Sequence, residues 1–273
     1  MPVDNLPLRT HLVVGGFPPG AAAGHDHDYA RLRLLEVLAE SEIRATSAND
    51  FADIEKWLPL SRLLITYVAG PMLSDEQAAS VKLWMASGGR WLGLHGTSGG
   101  KAARIEGTRQ RTMVKTDHHR ALGGFFINHP PVRKFQVDVP DSGHAIMRDI
   151  GAPFTVVDEP YMIELQTPAT SRVLLTSELG PDVSPPGFGF RYEKDTALQA
   201  DGKTRVLGYS QEVGEGEVVY IALGHCHSPA TNSQPFVDVS VDPEGKTPAY
   251  VRTTWETPEF QRMLRNAVAW GMR

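Results

Sequence analysis

Short apolar blocks alternate with amphipathic stretches through the first hundred residues. Residues 10–14 (THLVV) form an apolar run that stops at Gly15 and Gly16, the pattern of a buried strand ending in a tight loop. Residues 28–40 space Leu32, Leu35, Val37 and Leu38 near a helical repeat with charges between them, which predicts a helix. Residues 43–47 and 62–68 predict two further strands, the second (RLLITYV) more strongly. Ser74 and Gln77 make a capping box, acids fill the first turn that follows, and Gly88 with Gly89 ends the helix so started. Residues 90–95 (RWLGLH) are the fourth strand. Strands joined by crossovers imply a parallel sheet, and in such sheets ligands bind beyond the carboxyl ends of the strands. Those ends are Gly15–Pro19, Ala69–Pro71 and His95–Gly100.

The second half is less regular. Residues 132–139 alternate in polarity, and 154–157, 171–176, 204–210 and 217–223 are strand candidates. Residues 178–203 and 228–250 read as long polar loops, a length that usually carries function or disorder. A helix over 258–270, with Pro258 in its first turn, closes the chain. With no internal repeat and no evident linker, residues 1–273 are expected to form a single domain.

The formal net charge of -5 and the lack of a basic block argue against a nucleic-acid partner. Cys226 is the sole cysteine, so no internal disulfide can form. The N-terminal residues lack a signal-peptide core, and no run approaches the roughly 20 apolar residues of a membrane span. The expectation is a cytoplasmic protein without a membrane partner. The late loops could serve a homo-oligomer.

Ten histidines stand out, several in close pairs: His25 with His27, His118 with His119, His225 with His227. In WLGLHGTSGG (91–100), His95 occupies the tip of a strand-to-helix turn, where a side chain is held over the sheet. Histidine there suits acid/base work or metal binding. DEPYMIEL (158–165) offers Asp158, Glu159 and Tyr161, of which one neighbouring carboxylate is expected to enter the site. In ALGHCHSP, His225 and His227 would fall on one side of a strand, suiting a shared metal such as zinc, as would His25 and His27. The principal expectation is nevertheless no cofactor and no metal ligand. Cys226 fits a small buried residue, and His144 a cap or packing group. His118 and His119 would start an exposed helix capped by Asp117. Trp57, Trp84, Trp91 and Trp270 are expected in the core or in helix packing, whereas Trp255, in a late loop, could line a sugar pocket.

HDHDYARL (25–32), GGRWLGLHGTSGG (88–100), DEPYMIEL and EGEVVYIALGHCHSP (215–229), in that order and spacing, resemble the ThuA-like (trehalose utilisation) branch of the class I glutamine amidotransferase superfamily. The resemblance implies a flavodoxin-like three-layer α/β domain with a mostly parallel central sheet. Related amidotransferases carry a catalytic cysteine in a GxCxG elbow, and the matching residue here is His95, so a cysteine-dependent glutaminase is excluded. The resemblance favours Glu159 and Tyr161, which would share a face in an extended segment, and it brings in His129 of LGGFFINHPP. It also implies a small carbohydrate as the partner. The expected chemistry is proton abstraction beside a sugar carbonyl of a glycoside or keto-glycoside. Glu159 or His95 would be base and His225 or Tyr161 the opposing acid, with His25, His129 and Trp255 binding substrate. The alternatives are a metal-dependent hydrolase and a non-catalytic sugar-binding module on the same fold.

Overall fold

A computed structural model of the chain describes residues 9–16, 23–151 and 153–273. Strand β1 (Arg9–Gly15) is buried almost throughout and pairs in parallel with β2 (Arg44–Ala48) and β3 (Leu63–Val68), and β3 pairs in parallel with β4 (Arg90–Leu94). The parallel run extends across β4 to Gly216–Ile221. Strands Thr204–Val213 and Arg172–Glu178 then continue the sheet antiparallel, giving seven strands. This is the predicted α/β architecture. The inner parallel strands are largely apolar because both faces of the sheet are covered by helices, whereas the edge strand β2 (RATSA) stays half-exposed.

Helix His27–Glu40 packs with the C-terminal helix Pro258–Gly271, while Asp75–Ala86 packs with the short helices Ile54–Trp57 and Asp117–Leu122. The capping box at Ser74 is formed in both directions, with Gln77 N–H donating to Ser74 Oγ at 3.2 Å and Ser74 N–H donating to Gln77 Oε1 at 3.0 Å. Thr257 caps the C-terminal helix, whose Phe260, Met263, Leu264, Ala267, Val268 and Trp270 are buried.

Three small antiparallel pairs lie outside the main sheet, one of them Ala102–Arg104 with Arg111–Met113, and the other two reach the site. Arg133–Val137 pairs with Phe154–Asp158, and Gly124–Asn128 pairs with Met162–Leu165. Their role is delivery: one ends at Asp158 beside Glu159, the other at Asn128 beside His129. Residues 178–203 and 228–250 are irregular, as expected, apart from turns and isolated bridges. Among the strand ends singled out from the sequence, residues 17–19 lie outside the described residues. Among the described residues, no helix is long and apolar enough to cross a membrane.

Candidate active site

His95 follows β4 directly and takes φ of +40°, a left-handed conformation that costs a non-glycine residue about 1–3 kcal/mol. Gly96 makes that turn possible. A Cβ there would lie 2.6 Å from the Val68 carbonyl oxygen, so only glycine lets the turn sit against the end of β3. The strain aims the imidazole over the carboxyl edge of the sheet. His225 arrives from the end of Gly216–Ile221, His25 from the loop before helix His27–Glu40, and Glu159 from the end of Phe154–Asp158.

One ligating atom from each of His25, His95, Glu159 and His225 lies within 4.8 Å of the others, and all four residues are buried. Glu159 Oε2 stands 3.3 Å from His95 Nε2, 3.1 Å from His225 Nδ1 and 3.9 Å from His25 Nε2. His95 Nε2 and His25 Nε2 are 3.1 Å apart. An ion bound at about 2.0–2.1 Å by nitrogen and oxygen would hold tetrahedral neighbours about 3.3 Å from one another, close to these separations.

The remote ring nitrogens fix the tautomers. His95 Nδ1 donates to Ala222 O at 2.8 Å and His25 Nδ1 to Ala23 O at 2.9 Å, since a carbonyl only accepts. In the neutral rings both Nε2 atoms therefore turn a lone pair inward. His227 Nε2 donates to Pro248 O at 3.0 Å, which leaves its Nδ1 to accept from His225 Nε2 at 2.9 Å. The Nδ1 of His225 is then also a lone pair. It is buried and, although near Glu159, not aligned for a hydrogen bond. Three lone pairs and a carboxylate converge on one point, an arrangement that requires a proton or a metal cation between them. Outer partners that orient imidazoles in this way are the usual second layer of a metal site.

The electrostatics agree. Burial, then the neighbouring His95 and His225, hold the His25 pKa well below its ordinary value. Burial would raise the Glu159 carboxyl, but the surrounding His129, His225 and His95 override it and keep it well below the usual carboxylate range. Burial likewise opposes a charge on His225, yet the Glu159 carboxylate raises its pKa overall. Burial, then Glu159, push the Tyr161 phenol well up.

Asp158 does not enter the cluster but assembles it. Its fully buried carboxylate accepts from Glu159 N–H at 2.8 Å, His225 N–H at 2.9 Å and Gly224 N–H at 2.7 Å, tying together the segments that carry Glu159 and His225. Tyr161 lies beside the cluster, its ring centroid 4.1 Å from that of His95. The segment is not extended as expected. Tyr161 N–H donates to Glu159 O at 2.9 Å across Pro160, a tight three-residue turn that lays the ring against His95. His129 Nδ1 lies 3.8 Å from Glu159 Oε1, and its ring packs on Tyr161 at 5.6 Å. His25, His95, His129, Glu159, Tyr161 and His225 are thus brought together.

Other expectations are corrected. Trp255 lines no sugar pocket. It is 1% exposed on the short helix Thr253–Glu256, donates to Gly224 O at 2.7 Å and packs on Tyr67 and Phe260. Residues 225–227 are not a regular strand, so His225 and His227 do not share a metal-facing side; His227 stands behind His225. His27 is not one of the four clustered residues. His118 and His119 are buried rather than exposed, and Thr116, not Asp117, caps their helix, with His119 Nδ1 accepting from Thr116 N–H at 2.9 Å. Cys226 is fully buried against Tyr67, and burial lifts its thiol to about 12, so it is no nucleophile. His144 caps the turn at Ala145–Met147, as expected. Sequence reasoning missed Asp158 as a bridge and His227 as an outer partner; the H-x-H spacing was the one available signal.

A seven-stranded, mostly parallel sheet between helices, with a histidine-bearing elbow at its carboxyl edge, defines a three-layer α/β protein whose fold is of the glutamine amidotransferase-like type. The sequence matches the ThuA family, described as trehalose utilisation, over residues 20–241, and the chain belongs to that family. Membership gives it a carbohydrate-associated role. The fold is similar to a thua-like protein from Bacteroides uniformis, with TM-score 0.62 at 15% identity over 98% of this chain and 92% of that one. A thua-like protein from Parabacteroides merdae gives 0.55 at 14% identity over 97% and 90%. A GMP synthase-type protein from Thermoplasma acidophilum gives 0.50 at 12% identity over 97% and 94%. No curated protein matches the sequence.

Proposed function

We propose that this protein is a carbohydrate-processing enzyme acting on a glycoside or keto-glycoside, with a divalent transition-metal ion held by His25, His95, Glu159 and His225. The observation that carries the reading is the inward convergence of three imidazole lone pairs, their tautomers fixed from outside, on a buried carboxylate. Three nitrogens and one oxygen suit zinc or a related first-row ion. When bound, such an ion supplies a Lewis acid for a sugar oxygen. The chain's own groups then divide the remaining work. Tyr161 keeps its proton at neutral pH and serves as donor to an oxygen developing negative charge. His129, less enclosed than the four ligands and close to Glu159 Oε1, is placed to carry a proton to or from the ring carbon beside a sugar carbonyl.

A metal-free mechanism with Glu159 as the base is the weaker reading. A carboxyl held well below its usual range is a poor acceptor for a carbon-bound proton.

The test is elemental analysis of protein purified without a histidine tag, paired with turnover of keto-glycosides before and after chelation. One ion per chain and loss of turnover on chelation are expected. His95→Ala and Glu159→Gln should lose both ion and activity. A metal-free protein with undiminished turnover would overturn the metal assignment. Retention of the ion and binding of sugar without any product would make the protein a binding module.

A further inference from the structure

The Glu159 carboxylate divides its two oxygens between different neighbours. Oε2 faces the ring nitrogens of His95, His225 and His25 at 3.3, 3.1 and 3.9 Å. Oε1 accepts a hydrogen bond from the side-chain amide of Gln234. His129 Nδ1 is 3.8 Å from the same oxygen, too far for a hydrogen bond, and gives its proton to Pro130 O at 2.9 Å. That leaves Gln234 to hold Oε1.

Gln234 is itself anchored. Its N–H donates to Asn232 Oδ1 at 2.7 Å, its carbonyl accepts from Thr247 Oγ1 at 3.1 Å, and Val237 N–H donates to Gly245 O at 3.0 Å just beyond it. Ser233 lies against Gly24, the neighbour of His25: a Cβ at Gly24 (φ +85°) would come within 2.5 Å of Ser233 Oγ. Residues 233 and 234 are thus seated on the two segments that carry His25 and Glu159. A carboxylate only accepts, so the amide of Gln234 must turn its NH2 group to Glu159. Its own Oε1 is then left buried without a hydrogen-bond partner. An orphaned acceptor is unfavourable, and an apolar side chain of the same length would avoid it. What the amide provides in return is the bond to Glu159 Oε1.

We infer that Gln234 is a positioning residue that restricts Glu159 to ligating the ion through Oε2 alone. The inference rests on the metal reading and adds how the ion keeps room for a substrate. Three imidazole nitrogens and one carboxylate oxygen make four ligands, the number of a closed zinc site; catalysis needs a further position, and zinc accepts a fifth ligand. A carboxylate can also bind a cation through both oxygens. An unrestrained Oε1, already attached to a ligand, would be the nearest group able to take that fifth position. The Gln234 amide engages the oxygen and turns it away, as hydrogen-bond partners of ligating carboxylates do.

The test is cobalt(II) loading of the full chain, as wild type and as Gln234→Met, which keeps the length of the side chain and removes both the donor and the orphaned acceptor. Gln234→Leu, a second variant without a donor, gives the same reading should the first fold poorly. Wild type and variant should each bind one cobalt ion per chain. The visible absorption of cobalt(II) weakens as ligands are added to a four-coordinate ion, so the variant's bands should be the less intense. Azide, a small anion that needs one open position, should bind the variant's ion about tenfold more weakly, the lower end of what loss of an outer partner does at a metal centre. A merely structural role would alter cobalt content but neither the spectrum nor the azide affinity per bound ion. Equal spectra or equal azide binding in wild type and variant, or a wild type that binds cobalt but not azide, overturns the role of Gln234 and leaves the metal assignment standing. A wild type that takes up no cobalt overturns the metal assignment and the role of Gln234 with it.

Discussion

Three histidines outside the His25–His95–Glu159–His225 cluster are buried with one ring nitrogen each lacking any hydrogen-bond partner: His11 at Nε2, His27 at Nε2 and His118 at Nδ1. A second proton on any of them would have no acceptor. Burial accordingly lowers their pKa values from 6.5 to about 4 for His11, about 4 for His27 and about 3 for His118. The unfolded chain takes up protons below pH 6.5 that the folded chain refuses, so stability is complete above that pH and falls as the medium is acidified. At pH 5 each group costs about 2 kcal/mol, and the three together about 6 kcal/mol. That approaches the whole stability of an ordinary domain, roughly 5–15 kcal/mol. His225, raised by Glu159, works in the opposite sense and offsets a part. The depressed carboxyls of Asp141 and Asp201, at about 2, protonate at lower pH and leave the window from 7 to 5 to the histidines. Urea unfolding followed by tryptophan fluorescence at pH 7, 6 and 5 gives the measurement. His118→Gln keeps an amide donor for Thr97 O, which His118 Nε2 contacts at 2.7 Å, but cannot titrate. Its loss between pH 7 and 5 should be smaller than that of the wild type by about 2 kcal/mol. A wild-type loss under about 2 kcal/mol, or an identical pH slope in His118→Gln, would refute the reasoning.

Asp158→Asn should lower stability by about 2–4 kcal/mol, because an amide nitrogen would then face one of three buried N–H donors, and should weaken metal retention in a dialysis assay. His227→Ala frees the remote nitrogen of His225, and metal affinity read by competition with a chromogenic chelator should fall about 10–100-fold while the fold persists. Gly96→Ala drives a methyl into the Val68 carbonyl, so the melting temperature should fall and turnover should be lost together. Trp255→Phe removes a buried hydrogen bond to Gly224 O and should cost about 1–3 kcal/mol in chemical denaturation while leaving sugar selectivity unchanged.

The parallel sheet was legible because its inner strands are largely apolar runs punctuated by glycine, and the Ser74 helix because its capping chemistry is local. His95 was legible for the same reason: a strand running into Leu-His-Gly marks an elbow. The convergence of His25, Glu159 and His225 on it depends on which loops the topology brings to one edge, and no spacing along the chain encodes that. Trp255 misled because a tryptophan in a loop-rich stretch looks exposed, whereas Gly224 O supplies its indole a buried acceptor. His118 and His119 misled because two adjacent polar residues suggest a wet surface. Each instead has a backbone carbonyl waiting, of Thr97 and of Gly99. Asp158 stayed hidden because its work is done on main-chain amides, which every sequence possesses.

The four residues of the proposed metal site come from widely separated parts of the polypeptide, with His25 and His225 200 positions apart. On the proposed metal assignment, a nascent chain cannot assemble the site until His225 has been made and the sheet has closed. Metal loading would then follow folding, and the fraction of a preparation that carries metal should report how much of it has reached the native state.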